Sequence, residues 1–298
     1  MAVIFCFKNK MPKYKKLKEF NSDKRNVGDC LKNNDAVYVV DMDGTLYRGN
    51  ILLDGVKEFI NILNAKNYIL MTNCPIHSAK QLSEKMKCMG IDVPQDKIIT
   101  SAQIAVKYFM KNEIHTAFVI GSQALKNEVA GAGILITEQN PQCVLVGQDN
   151  DLQSEELQVA ATCIKEGAKF YCTNIDMNIP YGDAFRSHTG RIVNELQELT
   201  REIAENIGKP ERNFLDEVCA MFHCDIKDIK LIGDNLDTDI RMGQRFGATT
   251  YLLMTGIADD YSLTIKDTPK PDRIFHNIKE LITYEFANTD KQVLSNKI

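Results

Sequence analysis

From Ala36 onward, short apolar runs alternate with amphipathic stretches. Residues 36–40 (AVYVV) form a continuous run rich in β-branched side chains, which predicts a strand buried on both faces. Val56, Phe59, Ile60 and Leu63 then recur at three- and four-residue spacing, the signature of a helix. The runs 68–71 and 97–100 predict the next two strands. Between them, residues 78–89 predict a helix ended by Gly90.

A second unit of the same kind follows. Strands are predicted over 116–120 and 142–146, ending at Gly121 and Gly147. A helix is predicted over 155–165, ended by Gly167, and a strand over 169–172. The first rhythm returns late, with a helix over 213–222, a strand over 229–232, a helix over 237–246 and a strand over 249–254. Strands alternating with helices imply a mostly parallel sheet covered on both faces, so the expected fold class is doubly wound α/β. Two such units in one chain suggest one inserted into the other. The expected division is a basic arm over 1–32, a core over 33–103, an inserted α/β unit over 104–206, and the rest of the core over 207–298.

The arm changes this picture at one end only. Six lysines and a proline lie between Lys8 and Lys18 with little apolar periodicity, which reads as a solvated, poorly ordered arm, the alternative being a targeting or docking segment. The whole chain has a formal net charge of −4, so no global basic field draws it to nucleic acid or anionic lipid. No apolar run approaches the length of a membrane span, and Met1–Phe7 lacks the flanks of a signal peptide. The nine cysteines are scattered without a C-x-x-C pair, unlike a disulfide framework or a zinc site. Reduced thiols in a cytoplasmic protein, with no nucleic-acid or membrane partner, are therefore expected.

The chemistry clusters at strand ends, where open parallel sheets bind ligands. Asp41 and Asp43, in Asp41-Met-Asp-Gly-Thr45, follow the first strand. Two adjacent carboxylates repel each other unless a cation or shared proton intervenes, and a hard divalent cation such as Mg²⁺ suits an all-oxygen set. Gly44 lets the chain turn sharply, and Thr45 is expected to bond nearby backbone. Asp234 and Asp239, in Gly233-Asp-Asn-Leu-Asp-Thr-Asp239, follow the strand at 229–232, so Asp234 is a second candidate ligand with Asp239 close behind it. Thr72 and Asn73 end another strand, and Lys209 sits in Gly208-Lys-Pro210. Hydroxyl, amide and ammonium groups of this kind suit phosphate oxygens.

In this order the four segments resemble the motifs of the haloacid dehalogenase superfamily of phosphatases. Thr72-Asn-Cys-Pro75, Thr100-Ser-Ala102, Gly167-Ala-Lys-Phe170, Thr173-Asn174 with Asp176, and Gly256 further resemble its NagD-like, 4-nitrophenylphosphatase subfamily, over roughly residues 36 to 285. The resemblance implies a Rossmann-like core with an inserted α/β cap over 104–206, Mg²⁺ as cofactor and a small phosphate ester as substrate. A homodimer is the assembly to test. It implies Asp41 as nucleophile and Asp43 as general acid and base, with its backbone carbonyl on the metal. Thr72 and Lys209 would hold the phosphoryl group, Asp234 the metal, and Asp239 would stand behind it. Asn73, Asn174 and Asp176 would contact substrate.

The sequence departs from the subfamily at Cys74, where many relatives carry a second asparagine, and over 181–190, read as a cap loop with Phe185, Arg186 and a surface-exposed His188. Nucleoside monophosphates are the expected substrates, with Tyr181 or Phe185 stacking on the base. Phosphoglycolate or pyridoxal phosphate is the alternative, with Arg186 holding a second anion. A phosphotransferase of the same superfamily and a non-catalytic binding protein are the competing readings, and the intact acidic motifs speak against the latter.

Overall fold

The computed structural model describes residues 36–287, so the arm over 1–32 lies outside the described residues. Six strands form one parallel sheet in the order Arg273–Phe275, Thr249–Leu253, Ile229–Gly233, Val37–Asp41, Asn67–Thr72, Ile98–Thr100. Every residue of Val37–Asp41 is buried, as its unbroken apolar run requires of a central strand. The strand order reverses direction between Val37–Asp41 and Ile229–Gly233, and in open α/β sheets the crevice at that reversal is where ligands bind. Register aligns the two ends: Val40 pairs with Ile232, and Asp41 with Met71 on the other side.

Local signals explain the covering helices. Ser78 caps Ala79–Cys88 by accepting from the Gln81 N–H, while the Gln81 side chain reaches back to the Ser78 N–H; the helix buries Ala79, Leu82 and Met86. The expected helix over 237–246 begins differently. Leu236–Ile240 is a wide π turn, followed by an α-helix over Arg241–Phe246. The Asn235 side chain takes the Asp237 N–H, and its carbonyl takes both the Asp239 and Ile240 N–H groups, which opens the turn and brings Asp239 back toward the crevice.

A second parallel sheet runs Glu205–Asn206, Lys169–Cys172, Cys143–Val146, Thr116–Ile120, Leu135–Ile136. Its two outer strands have two residues each, too few to leave a readable pattern. Ser154–Lys165 and Thr189–Thr200 cover one face through Ala160, Ile164, Val193 and Leu196. Helix Ser101–Lys111 lies between the two sheets. Its Ala105 and Phe109 belong to one apolar cluster with Val37, Ile69 and Met71 of the first sheet and Ala117, Leu145 and Tyr171 of the second. The division expected at 103/104 falls inside this helix.

The stretch read as a loop over 181–190 is instead a β-hairpin. Asn178–Tyr181 pairs antiparallel with Ala184–Ser187 across a two-residue turn, Gly182-Asp183, with Gly182 at φ 58°. His188 follows as the N-terminal boundary of helix Thr189–Thr200 and is fully buried, not on the surface. The reason is its ring nitrogen Nδ1, 3.0 Å from Asn174 Oδ1 inside the fold. No helix among the described residues is long and apolar enough to cross a membrane, and the seven cysteines there are free thiols.

Candidate active site

Strand ends at the crevice bring the acidic segments together. Carboxylate oxygens of Asp41, Asp234 and Asp239 all lie within 4.8 Å of one another, and all three residues are buried. Lys209 enters from the opposite wall. Its Nζ is 2.5 Å from Asp41 Oδ1 and 2.8 Å from Asp239 Oδ1. Burial acts to lower the lysine's pKa, but Asp239 and Asp41 outweigh it and hold the ammonium firmly protonated. Burial pushes the Asp41 carboxyl well above its usual range, against the pull of Lys209, with Asp239 and Asp234 adding to the rise. Burial, then Asp239, lifts Asp234 to about 7.

Three buried carboxylates around one ammonium are short of positive charge. A divalent cation fits that deficit, because the donors are all oxygens and their charge outruns the lysine's. The cradle is also shaped around Asp234. Its Oδ2 accepts the Ile257 N–H at 2.7 Å, and its Oδ1 accepts the Thr45 hydroxyl at 3.3 Å, so Thr45 bonds a carboxylate rather than the backbone partner expected of it. Two glycines make room. A Cβ on Gly256 would lie 1.7 Å from Asp234 Oδ2, and one on Gly44, whose φ is 89°, would lie 2.4 Å from it.

Asp43 stands apart from the carboxylate cluster. Its Oδ2 accepts from Thr72 Oγ1 at 3.2 Å, and the Tyr47 hydroxyl is 3.5 Å away. Burial raises its carboxyl, against Lys85 and the Thr72 hydrogen bond. Thr72 is fixed in turn, since its Oγ1 also accepts the Cys74 N–H at 3.0 Å.

The amide of Asn73 is fully engaged. Its Oδ1 accepts the Lys209 N–H at 2.9 Å, and its Nδ2 donates to Asp176 Oδ2 at 2.9 Å and to the Lys209 carbonyl at 3.3 Å. Asn73 and Asp176 line the central cavity, and burial lifts Asp176 to about 6. Asn174 does not line that cavity. Its Nδ2 donates to the Asn73 carbonyl at 2.7 Å and its Oδ1 faces His188, so this buried side chain belongs to the framework beneath the site. Of the proposed aromatic contacts, Tyr181 has one ring face covered by the Arg186 guanidinium at 3.3 Å, and Phe185 is exposed and outside the cavities at the site.

Ile179 and Pro180 of the hairpin close over the carboxylates, leaving about 30 Å³ of free space at the centre. A neighbouring cavity of about 320 Å³ shares Asp43, Cys74, Ile179 and Pro180 with it and adds Tyr47, Lys85 and Arg186. Tyr47 belongs to the segment that begins at Asp41, and Arg186 to the stretch expected to meet substrate, whereas Lys85 carries no motif. Lys85 had one signal in the sequence: it sits three residues after the buried Leu82, on the same side of the helix.

Two family descriptions match the chain: "haloacid dehalogenase-like hydrolase" over residues 38–135 and "HAD-hydrolase-like" over residues 206–281. The acid sugar phosphatase of Staphylococcus haemolyticus is 30% identical over 258 residues, 85% of this chain and 98% of that protein. The chain belongs to the haloacid dehalogenase-like hydrolases. The 4-nitrophenylphosphatase structure from Thermotoga maritima superposes with a TM-score of 0.78 at 30% identity, covering 83% of this chain and 96% of that one. NagD from E. coli superposes at 0.76 with 26% identity, covering 83% and 98%. Within its family the chain is a phosphatase of the NagD-like branch.

Proposed function

We propose that this phosphatase hydrolyses compact phosphate monoesters in two displacements at Asp41, with Mg²⁺ as the divalent ion. The observation that carries this reading is the division of labour between two carboxylates two residues apart: Asp41 is ion-paired to Lys209 inside the carboxylate cluster, whereas Asp43 stands outside that cluster, hydrogen-bonded to Thr72 and lining the neighbouring cavity. In the first displacement a carboxylate oxygen of Asp41 attacks phosphorus, the bond to the ester oxygen breaks, and Asp43 gives that oxygen its proton. In the second, Asp43 takes a proton from water, the water oxygen attacks phosphorus, and the bond to Asp41 breaks to release phosphate. Lys209 and the Thr72 hydroxyl orient the phosphoryl oxygens, and Asn73 fixes Lys209 through the main chain. Asp41, Asp234 and the Asp43 backbone carbonyl would hold the Mg²⁺, with Asp239 behind them, and the ion would neutralise charge on the phosphoryl oxygens. Residues 116–206 act as the cap, whose hairpin 178–187 excludes water from the site.

Sugar phosphates take first place among substrates, ahead of nucleoside monophosphates. The sugar phosphatase relative supports this order, and so does Tyr181, whose ring face is taken by Arg186 and not left free for a base. The test is steady release of inorganic phosphate from a panel of sugar phosphates, uridine and guanosine monophosphates and 4-nitrophenyl phosphate, with Mg²⁺ and no added acceptor. Release that needs an organic acceptor would make the enzyme a phosphotransferase. A lead of about tenfold in kcat/KM for the nucleotides would reverse the substrate order.

A further inference from the structure

The cavity of about 320 Å³ beside the carboxylates lies where a leaving group has to go. A general acid must reach the departing oxygen, and Asp43 lines this cavity together with the central one. The cavity on the other flank, about 490 Å³, is not lined by Asp43 and carries Asp176 and Asp237, the latter 2.5 Å from Arg241. An ester whose departing oxygen meets Asp43 would direct its organic part toward Tyr47, Lys85 and the hairpin.

That cavity is short of negative charge. Among the described residues Asp43 is the only carboxylate lining it, against the two cations Lys85 and Arg186. Lys85 is partly buried, with its Nζ 3.8 Å from the centre of the Tyr47 ring. Among the described residues no carboxylate comes within ion-pair distance of it or of Arg186. Arg186 stands at the rim, its guanidinium 3.3 Å from the centre of the Tyr181 ring. Both cations are thus held against aromatic faces rather than neutralised. Asp43 acts on Lys85 only from beyond ion-pair distance, so the partly desolvated ammonium is incompletely compensated, and an incoming anion offsets that cost.

We propose that Lys85, with Arg186 at the rim, binds a second anionic group, carboxylate or phosphate, at the far end of the leaving group. Among sugar-derived and other compact phosphate esters of one size, those that carry such a group are then preferred over those that end in a hydroxyl. The proposal rests on the phosphatase reading of Asp41 and Asp43, and it makes Lys85 a specificity-determining residue.

Three esters built on one two-carbon backbone test it: ethylene glycol monophosphate, phosphoglycolate and ethylene glycol bisphosphate. The expected result is a kcat/KM about tenfold or more higher for one or both anionic esters than for the hydroxyl ester. Lys85→Met should cut that ratio at least roughly fivefold, and Lys85→Arg should restore most of it. Arg186→Ala, on an exposed hairpin position, supplies a second variant that should lower the same ratio if Lys85→Met fails to fold. Which anionic ester leads tells carboxylate from phosphate. Equal turnover of all three esters, or a ratio untouched in both variants, overturns the proposal. Calorimetric binding of the three esters to Asp41→Asn separates the two readings. If no ester is hydrolysed the phosphatase reading falls, while the binding ratio still decides whether the basic subsite exists.

Discussion

Lys209 bridges Asp41 and Asp239, donating to Oδ1 of each at 2.5 and 2.8 Å. The lysine thereby holds two carboxylates in one fixed arrangement, though they come from different strand ends. With Asn73 anchoring its backbone, its ammonium has little freedom to leave them.

Replacing Asp41 by Asn should abolish phosphate release while leaving the far-ultraviolet circular dichroism unchanged, because an amide oxygen does not displace an ester at phosphorus. Asp43→Asn should retain the nucleophile and lose the proton donor, slowing kcat by a factor on the order of 10²–10⁴ for poor leaving groups. 4-Nitrophenyl phosphate, whose leaving group needs little protonation, should suffer least in kcat/KM, which reports the first displacement. Turnover by Asp41→Asn at the wild-type rate would sink the mechanism.

Chelation should remove activity, and Mg²⁺ should restore it. Ca²⁺ should compete without supporting the wild-type rate, since its larger and looser shell places the carboxylates differently. The metal-free protein should also gain thermal stability when Mg²⁺ is added, because the ion relieves the crowding of Asp41, Asp234 and Asp239. A chelated enzyme that keeps its full rate would contradict the assignment.

Asn73→Ala removes the acceptor for the Lys209 N–H and the donor to Asp176 at one stroke. Leaving buried polar groups unmatched should cost about 1–3 kcal/mol of stability, read by urea unfolding. It should also lower kcat more than it raises KM, because Lys209 is displaced from the reacting carboxylate rather than lost. An unchanged kcat would show that Lys209 is positioned without Asn73.

His188 ties stability to pH. Burial lowers its pKa to about 4. An unfolded chain titrates near 6.5, so below that pH the unfolded state takes up a proton that the folded state refuses until about pH 4. Stability from this residue is complete above pH ~6.5 and is lost as pH falls, by about 3 kcal/mol at most. His188→Asn keeps a donor toward Asn174 without the titration, so its urea midpoint should fall less steeply between pH 6.5 and 4.5 than that of the wild type. Parallel slopes would mean that the ring is protonated in place.

Much of the site was legible because its chemistry sits at strand ends, and strand ends are marked by where an apolar run stops. Asp41, Thr72 and Asp234 are each placed by that rule. What stayed hidden depends on neighbours distant in sequence. His188 reads as polar and therefore exposed, until Asn174 encloses it. Lys85 reads as one more lysine on a solvated helix, yet Tyr47, nearly forty positions earlier, brings it to the cavity. Tyr181 reads as free to stack on a base, but the pairing of Asn178–Tyr181 with Ala184–Ser187 delivers Arg186 to its ring. The sequence signal for that pairing is the two-residue Gly182-Asp183 turn.

The apolar cluster that runs through helix Ser101–Lys111 bears on how this enzyme can be re-engineered. Lifting out residues 112–206 as a cassette would strip Phe109 of Tyr171 and leave a bare hydrophobic wall on the remaining half. A chimera carrying a foreign lid would have to bring side chains that interlock with Ala105 and Phe109, or exchange the helix as well. A splice near Thr100 or in the loop after the helix therefore cuts the same cluster, on one side of the helix or on the other.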